Sequence, residues 1–557
     1  MTKYTADFET TTNEADCRVW AFGTCEIGRP DNFQYGNNIT GFMEFCKNSN
    51  NATIYFHNLK FDGEFIMIWL FENGFRHVAD RKELETKTFT TLISNKGQFY
   101  TMKIVFEKKG KKTKSVTIYD SLKILPFSVR DIAKGFNLPI KKGEIDYDAP
   151  REVGHVLTDK EVDYLRNDVV IVACALDVLF KQGLEKMTQG SNALFDYKRT
   201  VTVKRFEQWF PIPDYDADVR RSYRGGFTYL NPKFKGLDVG EGVVFDVNSL
   251  YPSVMHDRPL PYGEGIFFEG QYEEDTFYNL YVQMFTCQFE LKPDHIPTVQ
   301  LKNNLAFVPT EYIITSGDEE VTMCMTSVDL ELFLKHYDVY NMEYISGWKF
   351  KSTTKLFVEY IDKWSAVKIQ SKKDGNKAMY LLAKLMLNAL YGKFALNPNV
   401  QGKIPHYNNG MIKYTEGDKE TRDPIYIPVG TFVTSWARYK TITSAQMVYD
   451  RFIYADTDSL HLLGTSIPDE LEVDDVQLGK WKHESTFSRA RFIRQKSYIE
   501  DIDGELHITC AGLPESCYKF VTWDNFKEGV IYEGKLQQKH VKGGIVLKDT
   551  TFEIKPK

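Results

Sequence analysis

The sequence predicts an α/β protein that consists of several domains. Its 557 residues are too many for one hydrophobic core and should form about three to five units of roughly 100–200 residues. Strand and helix patterns alternate through the first third of the chain. Two further strand regions, Gly242–Val247 and Arg451–Leu463, flank a strongly helical segment, Leu356–Leu390. This order of elements favours several domains that share one central sheet and carry large insertions.

The composition is typical of a globular protein, and its charge indicates no particular partner. The net charge of −6 gives no hint of nucleic acid. It does not exclude nucleic acid either, because carboxylates can gather at sites while Lys and Arg line grooves. The eight cysteines form no CxxC pair, and the N-terminus lacks the apolar region of a signal peptide. We therefore expect reduced thiols in a cytoplasmic protein.

The first third of the chain is predicted as strands and helices in alternation. Strands are expected at four segments and a helix at a fifth: Lys3–Glu9, Thr53–Phe56, Gln98–Phe106 and Ser115–Ser121, and Phe61–Glu72. A long helix should begin at Thr158-Asp159-Lys160-Glu161, which has the form of a capping box, and run to about Phe180. We expect the first domain to end near residue 188, in the polar stretch Thr188–Asn192.

A first set of acids lies within these elements. Asp7 and Glu9 are two apart on a strand, so both leave the same face, about 6–7 Å apart. Two carboxylates on a buried face repel each other, and a divalent cation between them would relieve that conflict. A solvated edge strand is the alternative for this pair alone. Asp62 begins a helix, and Tyr164 and Asp168 are four apart on the capped helix, hence on one face.

The segments Asp7-Phe8-Glu9-Thr10, Asn58-Leu59-Lys60-Phe61-Asp62 and Tyr164–Asp168 resemble, in order and interval, the motifs of DEDD-type proofreading exonucleases with Tyr in the third motif. The resemblance implies an RNase H-like domain in which two metal ions are held by Asp7, Glu9, Asp62 and Asp168. Tyr164 would orient the attacking water, and Lys142 would support the scissile phosphate. The matched positions that would hold the frayed primer strand are Thr10, His57, Asn58, Phe61, Phe65, Ser121, Leu122 and Tyr147.

A second set of acids follows in the remainder of the chain. Asp246 lies at the end of an apolar strand and is followed by Asn248-Ser249-Leu250-Tyr251-Pro252, which suits a metal and phosphate site. Alone, this segment could equally be the capped start of a helix. Asp456 and Asp458 flank the bend of a strand–turn–strand, where a plain hairpin could also use Asp for its turn.

The helix Asn376–Tyr391 adds a third element. Lys384, Asn388 and Tyr391 lie at i, i+4 and i+7, which places them on one stripe of that helix. A lysine there could neutralise a triphosphate, and a tyrosine could offer a flat wall to a base. A solvated stripe is the alternative interpretation.

Together DxxSLYP, Kx3NxLYG and YADTDS, in this order over residues 246–459, resemble the three polymerase motifs of family B DNA polymerases. The resemblance implies template-directed DNA synthesis by two-metal phosphoryl transfer, with two Mg²⁺ ions per site and Mn²⁺ as a possible substitute. Asp456 would lie close to the metal ligands, which are Asp246, Val247 and Asp458. The implied dNTP ligands are Tyr251, Lys368, Lys384, Asn388 and Tyr391. Further matched DNA-contacting positions are Tyr223, Gly225, Gly226, Thr434, Arg438, Lys496 and Tyr498.

The whole chain, from DFETTT to GGIVLKDTTFEIK, resembles the protein-primed polymerases of phi-29-like phages. This implies a right-hand polymerase with template-primer DNA, dNTPs and a terminal protein as partners, otherwise monomeric, replicating a linear viral genome in the host cytoplasm. The implied division is an exonuclease domain over 1–187, palm over 188–257 and 427–510, an insertion docking terminal protein over 258–355, fingers over 356–395, an insertion for processivity and strand displacement over 396–426, and thumb over 511–557.

Two departures from the family pattern and three alternatives bear on this interpretation. Asn388-Ala389 stands where the family usually has Asn-Ser, and the chain between Lys368 and Lys384 is about four residues longer than in relatives. The main alternative is a polymerase that uses only ordinary nucleic-acid primers. A stand-alone nuclease is disfavoured by the second motif set, and a non-enzymatic DNA-binding protein is disfavoured by intact acids at every implied metal position.

Overall fold

The computed structural model describes residues 2–49, 51–300 and 312–556. In this part of the chain the strands form an eight-stranded sheet, a five-stranded sheet, two four-stranded sheets and two separate hairpins. The expectation of one shared central sheet is therefore wrong. A sequence pattern identifies strands but not their partners: the N-terminal region and residues 258–355 each form a sheet of their own, whereas the strands within residues 228–247 pair with strands of the last region. None of the described helices combines the length and apolar content needed to cross a membrane.

The N-terminal region forms the eight-stranded sheet, in the order β3-β2-β1-β4-β8-β7-β6-β5. Its elements are β1 (Lys3–Thr10), β2 (Val19–Glu26), β3 (Arg29–Gly36), α1 (Ile39–Asn48), β4 (Thr53–Phe56), α2 (Leu59–Glu72), β5 (Arg76–His77), β6 (Thr88–Ile93), β7 (Phe99–Lys109), β8 (Lys112–Asp120), α3 (Val129–Gly135) and α4 (Asp159–Lys181). The predicted strands and helices of this region are confirmed. The capping box is formed at Thr158 and Glu161, whose side chains each accept from the other's backbone N–H.

The next region begins with three helices and contributes three strands and a fourth helix: α5 (Gln189–Val201), α6 (Val203–Trp209), α7 (Asp216–Arg220), β9 (Thr228–Leu230), β10 (Asp238–Val239), β11 (Gly242–Val247) and α8 (Leu250–Asp257). Strand β11 lies inside the five-stranded sheet and is followed directly by α8. Ser249 precedes α8 in the left-handed conformation, and its side chain does not cap the helix. The segment therefore does begin a helix, as the alternative interpretation expects, but no side chain caps it.

Residues 258–355, the predicted first insertion, contain a four-stranded sheet of their own in the order β12-β15-β13-β14. Its elements are β12 (Leu260–Glu269), β13 (Leu280–Leu291), β14 (Val321–Thr326), α9 (Ser327–His336) and β15 (Tyr337–Thr353). Phe285, Phe289 and Phe333 belong to a core that is separate from the larger ones. A separate core is what an inserted unit requires, and the docking role of this unit stays a prediction.

The helical segment predicted over 356–390 is two helices packed on each other, followed by a short third: α10 (Val358–Lys373), α11 (Lys377–Ala389) and α12 (Tyr391–Phe394). The break falls at Gly375, whose φ of +67° suits glycine, and Asn376 caps α11 by accepting from the Met379 N–H. Residues 396–426, the predicted second insertion, form a hairpin of β16 (Asn399–Asn408) and β17 (Met411–Thr421).

The last region supplies one long helix and eight strands: α13 (Ile427–Met447), β18 (Phe452–Asp456), β19 (Ser459–Leu463), β20 (Trp481–Phe487), β21 (Arg489–Arg494), β22 (Ser497–Ile502), β23 (Glu505–Cys510), β24 (Ile531–Val541) and β25 (Gly544–Glu553). The sequence predicts a helix around Ser435–Tyr449, and α13 begins eight residues before that start. Most of its residues are buried, so it has no polar face and its periodicity is weak. Strands β18 and β19 form the predicted strand–turn–strand.

Glu64 joins three regions that are distant in the sequence. It lies on α2 and is 2% exposed. The Tyr414 hydroxyl of β17 donates to its Oε1, and His540 Nδ1 of β24 lies 3.7 Å from the same oxygen. Its Oε2 has no hydrogen-bond partner among the described residues. Burial raises the pKa of this carboxyl group to about 7.

This shift predicts a pH-dependent effect of Glu64→Gln. Below about pH 4.5 the carboxyl is protonated in both the folded and unfolded states, so its burial adds no ionisation cost. As the pH rises through about 7 the folded state must hold the ionised form, which costs about 3 kcal/mol for a shift of this size. We expect the variant to be more stable than the wild type at pH 8 and equal to it near pH 4.5, as measured by thermal melting across this range.

Glu72→Gln is the matched control. Glu72 ends the same helix, is exposed, and accepts a hydrogen bond from Tyr407 of the same β16–β17 hairpin at 2.9 Å. This variant should melt with the wild type at every pH. A gain for Glu64→Gln that is equal at pH 4.5 and pH 8 would contradict the assignment of the effect to the buried carboxyl.

Two candidate active sites

The first set of acids is brought together by β1, α2 and α4. Asp7 and Glu9 leave one face of β1, while Ala6 and Phe8 leave the other and pack in the core. Asp62 lies in the first turn of α2, and Asp168 lies on α4. The Thr5 hydroxyl on β1 donates to the Val169 carbonyl of α4 at 2.8 Å, which ties the strand to the helix beside Asp168.

Burial raises the pKa of all four carboxyl groups in this set. Repulsion adds to it: Asp168 raises the pKa of Asp7, and Asp7 raises the pKa of Glu9 and of Asp62. The Oδ1 atoms of Asp62 and Asp168 are buried without a hydrogen-bond partner among the described residues. Uncompensated carboxylate oxygens of this kind are the ligands that hard divalent cations take, so the residues fit such an ion.

The side chains of this set do not by themselves form a complete set of metal ligands. In the described ranges no three His, Cys, Asp or Glu side chains converge closely enough to hold a metal ion by themselves. The four carboxylates repel one another, and the positive charge of Lys142 lies among them. Its Nζ is 3.1 Å from Asp168 Oδ2, and although burial opposes its charge, Asp168 raises the pKa of this lysine.

Lys142 and Tyr147 come from the segment between α3 and α4, which has no helix or strand. The hydroxyls of Tyr147 and Tyr164 are hydrogen bonded at 2.7 Å. Burial and the neighbouring Asp168 raise the pKa of Tyr164, so its hydroxyl stays protonated. The structure therefore places the predicted Lys142, Tyr147 and Tyr164 beside Asp168.

Arg151 holds that irregular segment and was missed by sequence reasoning. It is 8% exposed and lies over the Trp20 ring at 4.1 Å. Its Nε donates to Glu161 Oε1 at 2.9 Å, and its other nitrogens donate to the Asp146 and Ala149 carbonyls. The one available signal was an arginine ten residues before the capping-box glutamate, which is too weak to identify a positioning residue.

The residues predicted to hold a frayed primer strand divide into two groups. Ser121 is fully buried and donates to the Phe56 carbonyl, and Phe65 is 3% exposed beneath Gly544 of β25. Both side chains are covered by neighbouring elements, and their contact with a primer strand stays a prediction. The remaining members are partly or fully exposed: Thr10, His57, Asn58, Phe61, Leu122 and Tyr147.

Asp120 fixes the backbone beside that group and was not identified from the sequence. It is 1% exposed, and its Oδ1 accepts from the backbone N–H groups of Asn58 and Leu122, each at 3.0 Å. His57 is similarly engaged through both ring nitrogens, with Ser121 Oγ at 3.0 Å and the Phe127 carbonyl at 2.7 Å.

The second set of acids lies at one end of the five-stranded sheet, whose order is β20-β11-β19-β18-β9. Asp246 pairs with Ser459 across β11 and β19, and the Val247 N–H donates to the Asp458 carbonyl at 2.7 Å. Thr457, with a φ of +56°, forms the turn that presents Asp458. Burial and Asp458 raise the pKa of Asp246 to about 6, and burial raises the pKa of Asp458.

Asp456 lies beside this pair but has other partners. Lys496 Nζ is 2.8 Å from both of its carboxylate oxygens, and the Thr228 hydroxyl donates to Oδ1 at 2.9 Å. Its charge is therefore largely compensated.

The predicted nucleotide-binding residues converge on the same end of the sheet. The rings of Tyr251 and Tyr391 stack at 4.3 Å with an interplanar angle of 17°. Lys384 is exposed on α11, and its positive charge partly offsets the burial that raises the pKa of Asp458. Lys368 Nζ lies 3.5 Å from Ser249 Oγ, and burial together with Lys384 lowers its pKa. The longer stretch between the two lysines has not separated them. Asn388 is exposed one turn beyond Lys384, while Tyr391 begins α12.

Thr434 and Arg438, which are predicted to contact DNA, are both buried on α13, and that contact stays a prediction. Thr434 is fully buried, and its hydroxyl donates to carbonyls of its own helix. Arg438 is 3% exposed, binds Asp329, and donates to the Arg224 and Gly225 carbonyls at 2.8 and 2.7 Å. Its position inside α13 makes it a support for the 223–226 segment.

That segment, Tyr223–Gly226, packs directly against the turn between the two acids of β18 and β19. A Cβ on Gly226 would lie 2.6 Å from Thr457 Oγ1, and the Thr457 N–H donates to the Phe227 carbonyl at 2.6 Å. The Tyr223 hydroxyl is hydrogen bonded to that of Tyr391. The predicted Tyr223, Gly225 and Gly226 therefore lie at the second set of acids.

Comparison with known proteins identifies the family. A family model described as DNA polymerase type B, organellar and viral, matches residues 44–157 and 150–475. The chain belongs to this family of DNA polymerases. The polymerase is 50% identical to the DNA polymerase of Bacillus phage B103 and 49% identical to that of Bacillus phage phi29, with 99% of both chains covered in each case. It is 32% identical to the DNA polymerase of Streptococcus phage Cp-1, over 99% of this chain and 98% of that one.

Solved structures agree with this assignment. The polymerase superposes on phi29 DNA polymerase with a TM-score of 0.95, at 48% identity over the full length of both chains. A structure of the phi29 enzyme complexed with primer-template DNA and incoming nucleotides matches with a TM-score of 0.94. The α/β multidomain prediction and the resemblance to phi-29-like polymerases are thereby confirmed. The polymerase is a DNA-directed DNA polymerase with the architecture of that enzyme, an exonuclease domain followed by palm, fingers and thumb.

Proposed function

We propose that the polymerase also carries a 3′→5′ proofreading exonuclease, and that it replicates a linear viral genome from a terminal-protein primer with strand displacement. The observation that supports two separate activities is the presence of two carboxylate sets on different sheets. One is on β1, α2 and α4, and the other is on β11 and the β18–β19 hairpin. The first set is largely buried and the second is partly exposed, and each contains carboxyl groups with raised pKa values.

Both sites would hold divalent ions, Mg²⁺ or Mn²⁺. The ligands would be Asp7, Glu9, Asp62 and Asp168 in the first site, and Asp246, Val247 and Asp458 in the second. Ions bound there would activate a water or the primer 3′-hydroxyl and neutralise charge on the reacting phosphate. The buried, unpartnered oxygens of Asp62 and Asp168 support this in the first site. In the second, Asp458 raises the pKa of Asp246, which a cation between them would reverse.

In the exonuclease site, Lys142 would move its positive charge from Asp168 to the scissile phosphate. Tyr164, kept protonated and hydrogen bonded to Tyr147, would donate to or accept from the attacking water and so orient it. Arg151 would keep the segment that carries Lys142 and Tyr147 in place.

In the polymerase site, Tyr251 and Tyr391 form a flat aromatic wall against which a nucleotide sugar and base would lie. Lys368 and Lys384 would bind the triphosphate. Lys496 and Tyr498 would hold the primer end beside Asp456. The phi29 DNA polymerase structures with single-stranded DNA and with primer-template DNA support DNA and dNTPs as ligands of this chain.

A primer with a mismatched, labelled 3′ end tests the two-activity proposal. With Mg²⁺ and no dNTPs, the wild-type enzyme should remove the unpaired nucleotide. With dNTPs it should then extend the shortened primer to full length. A primer whose terminal linkages are phosphorothioates is the control, because it should resist removal while its matched counterpart is still extended. Extension of matched primers without any loss of the unpaired end would refute the exonuclease.

The terminal-protein proposal depends on the family and on two structural units. The sheet of residues 258–355 would dock the terminal protein, and the β16–β17 hairpin would help enclose DNA for processive strand displacement in the host cytoplasm. The test is incubation of the enzyme, Mg²⁺ and one labelled dNTP with the protein encoded beside it. Covalent labelling of that protein is expected. If that protein is not labelled while oligonucleotide primers are extended normally, the enzyme uses ordinary nucleic-acid primers only.

A further inference from the structure

A buried ionisable pair lies behind the polymerase acids and belongs to none of the matched motifs. His461 on β19 and Glu500 on β22 are 2% and 6% exposed. His461 Nδ1 lies 2.7 Å from Glu500 Oε1. The rings of Tyr454, Phe492 and Tyr498 surround the imidazole, with centroids 5.1–5.4 Å away. Such a polar pair inside an aromatic cluster is costly to bury, and apolar residues of similar size could fill the space.

The pair joins two different sheets. β19 belongs to the five-stranded sheet that carries Asp246 and Asp458, while β22 belongs to the sheet β10-β21-β22-β23. On the other side of the same junction, Lys496 binds Asp456 through its side chain and donates its backbone N–H to the Tyr454 hydroxyl at 2.9 Å. The two sheets are therefore linked by polar contacts both beside the acids and behind them.

The geometry of β22 couples the pair to the primer-end residues. Tyr498 and Glu500 are two apart on this strand, so their side chains leave the same face, toward the five-stranded sheet. Burial, together with the nearby charges of Glu500, Asp456 and Asp246, raises the pKa of Tyr498 to about 12. A shift or tilt of β22 would therefore move Tyr498 and Lys496 relative to Asp246 and Asp458.

We propose that the His461–Glu500 pair is a positioning element for polymerisation, which fixes β22, the strand that carries Tyr498 and directly follows Lys496, against the acids. The inference rests on the polymerase activity and on the proposed contact of Lys496 and Tyr498 with the primer end. An error of about 1 Å in the placement of a reacting group can cost about 10²-fold in rate. The pair should therefore control the rate of nucleotide addition and the affinity for primer-template, and should have little influence on the KM for dNTP.

Three variants separate positioning from stability. Glu500→Leu removes the hydrogen bond and leaves His461 unpaired. Glu500→Gln keeps an acceptor for the histidine N–H but removes the charge. The double variant His461→Leu with Glu500→Leu removes both polar partners, so no unpaired buried group destabilises the fold. Asp238→Asn is the control, because Asp238 pairs with Arg489 and Arg491 on the same sheet and contacts no residue of the site.

The experiment is single-turnover dNTP addition to a phosphorothioate-ended primer, with DNA and dNTP concentrations varied separately and thermal melting measured in parallel. We expect Glu500→Leu and the double variant to lower the addition rate or primer affinity by about 10- to 100-fold. The KM for dNTP should change less than about twofold, and Glu500→Gln should recover most of the loss. Asp238→Asn should behave as the wild type, and degradation of single-stranded DNA should be unchanged in all four.

Two outcomes would overturn the proposal. In one, the double variant has the melting temperature, the dNTP addition rate and the primer affinity of the wild type. In the other, activity falls only in proportion to melting temperature, with dNTP KM affected equally and no recovery in Glu500→Gln. The failure of the proposed primer contact would be seen separately. Lys496→Ala and Tyr498→Ala would then leave primer affinity unchanged, while the pair could still affect the addition rate.

Discussion

Asp458→Asn is expected to lower primer extension by about 10³-fold or more, while degradation of single-stranded DNA continues at the wild-type rate. Loss of one preorganised electrostatic contact in an active site already costs about 10²- to 10³-fold, and Asp458 would ligate a metal ion directly. The turn should survive the change, because Asp458 contributes its backbone carbonyl to the Val247 N–H. Extension of a labelled primer and degradation of a labelled single strand, measured on the same preparation, check both parts.

Asp450→Asn is a suitable control for this experiment. Asp450 is an exposed acid shortly before β18. Its replacement by Asn removes the same charge as Asp458→Asn at a position outside the site. Primer extension and single-strand degradation by the Asp450→Asn variant should both match those of the wild type. Equal loss of extension and degradation in Asp458→Asn would mean that the two acid sets do not serve separate reactions, unless the variant failed to fold, which thermal melting would reveal.

The second large effect is expected for Asp7→Ala combined with Glu9→Ala. This variant should lose the 3′→5′ exonuclease by about 10³-fold or more, since it removes two of the four proposed ligands of that site. Extension of a matched primer should remain within about twofold, because β1 and β11 belong to different sheets with separate cores. Extension past a mismatched 3′ end should increase in yield, because the unpaired nucleotide is no longer removed.

The matched control replaces two exposed acids of the same domain, Asp31→Ala with Glu44→Ala, and should leave both activities intact. If extension fell as far as degradation in the Asp7 and Glu9 variant, the proposal of two independent sites would be refuted. If degradation persisted, the nuclease would lie elsewhere in the chain.

Local features were predictable because their causes are local. The two-residue period of a strand placed Asp7 and Glu9 on one face, opposite Ala6 and Phe8. The capping box at Thr158 and Glu161 is a contact between residues three apart. The turn at Asp456 and Asp458 needs only the two strands on either side of it.

Features that depend on contacts between distant segments could not be read from the sequence. Ser121, Phe65, Thr434 and Arg438 occupy motif positions, but their burial depends on elements far away in the chain, such as β25 above Phe65. The number of sheets was also beyond reach, because strand pairing is decided by packing and not by strand propensity.

The sequence by itself determined the two carboxylate sets of this polymerase, the strands and helices that carry them, and the order of its motifs. Only the tertiary structure decided how those sets are supported, through Arg151 behind the first and the His461–Glu500 pair behind the second. The physical reason is that an acid on an apolar strand or helix can be recognised from its own charge and position in the sequence. A supporting residue is defined by its partner, and here that partner comes from a different loop, helix or sheet.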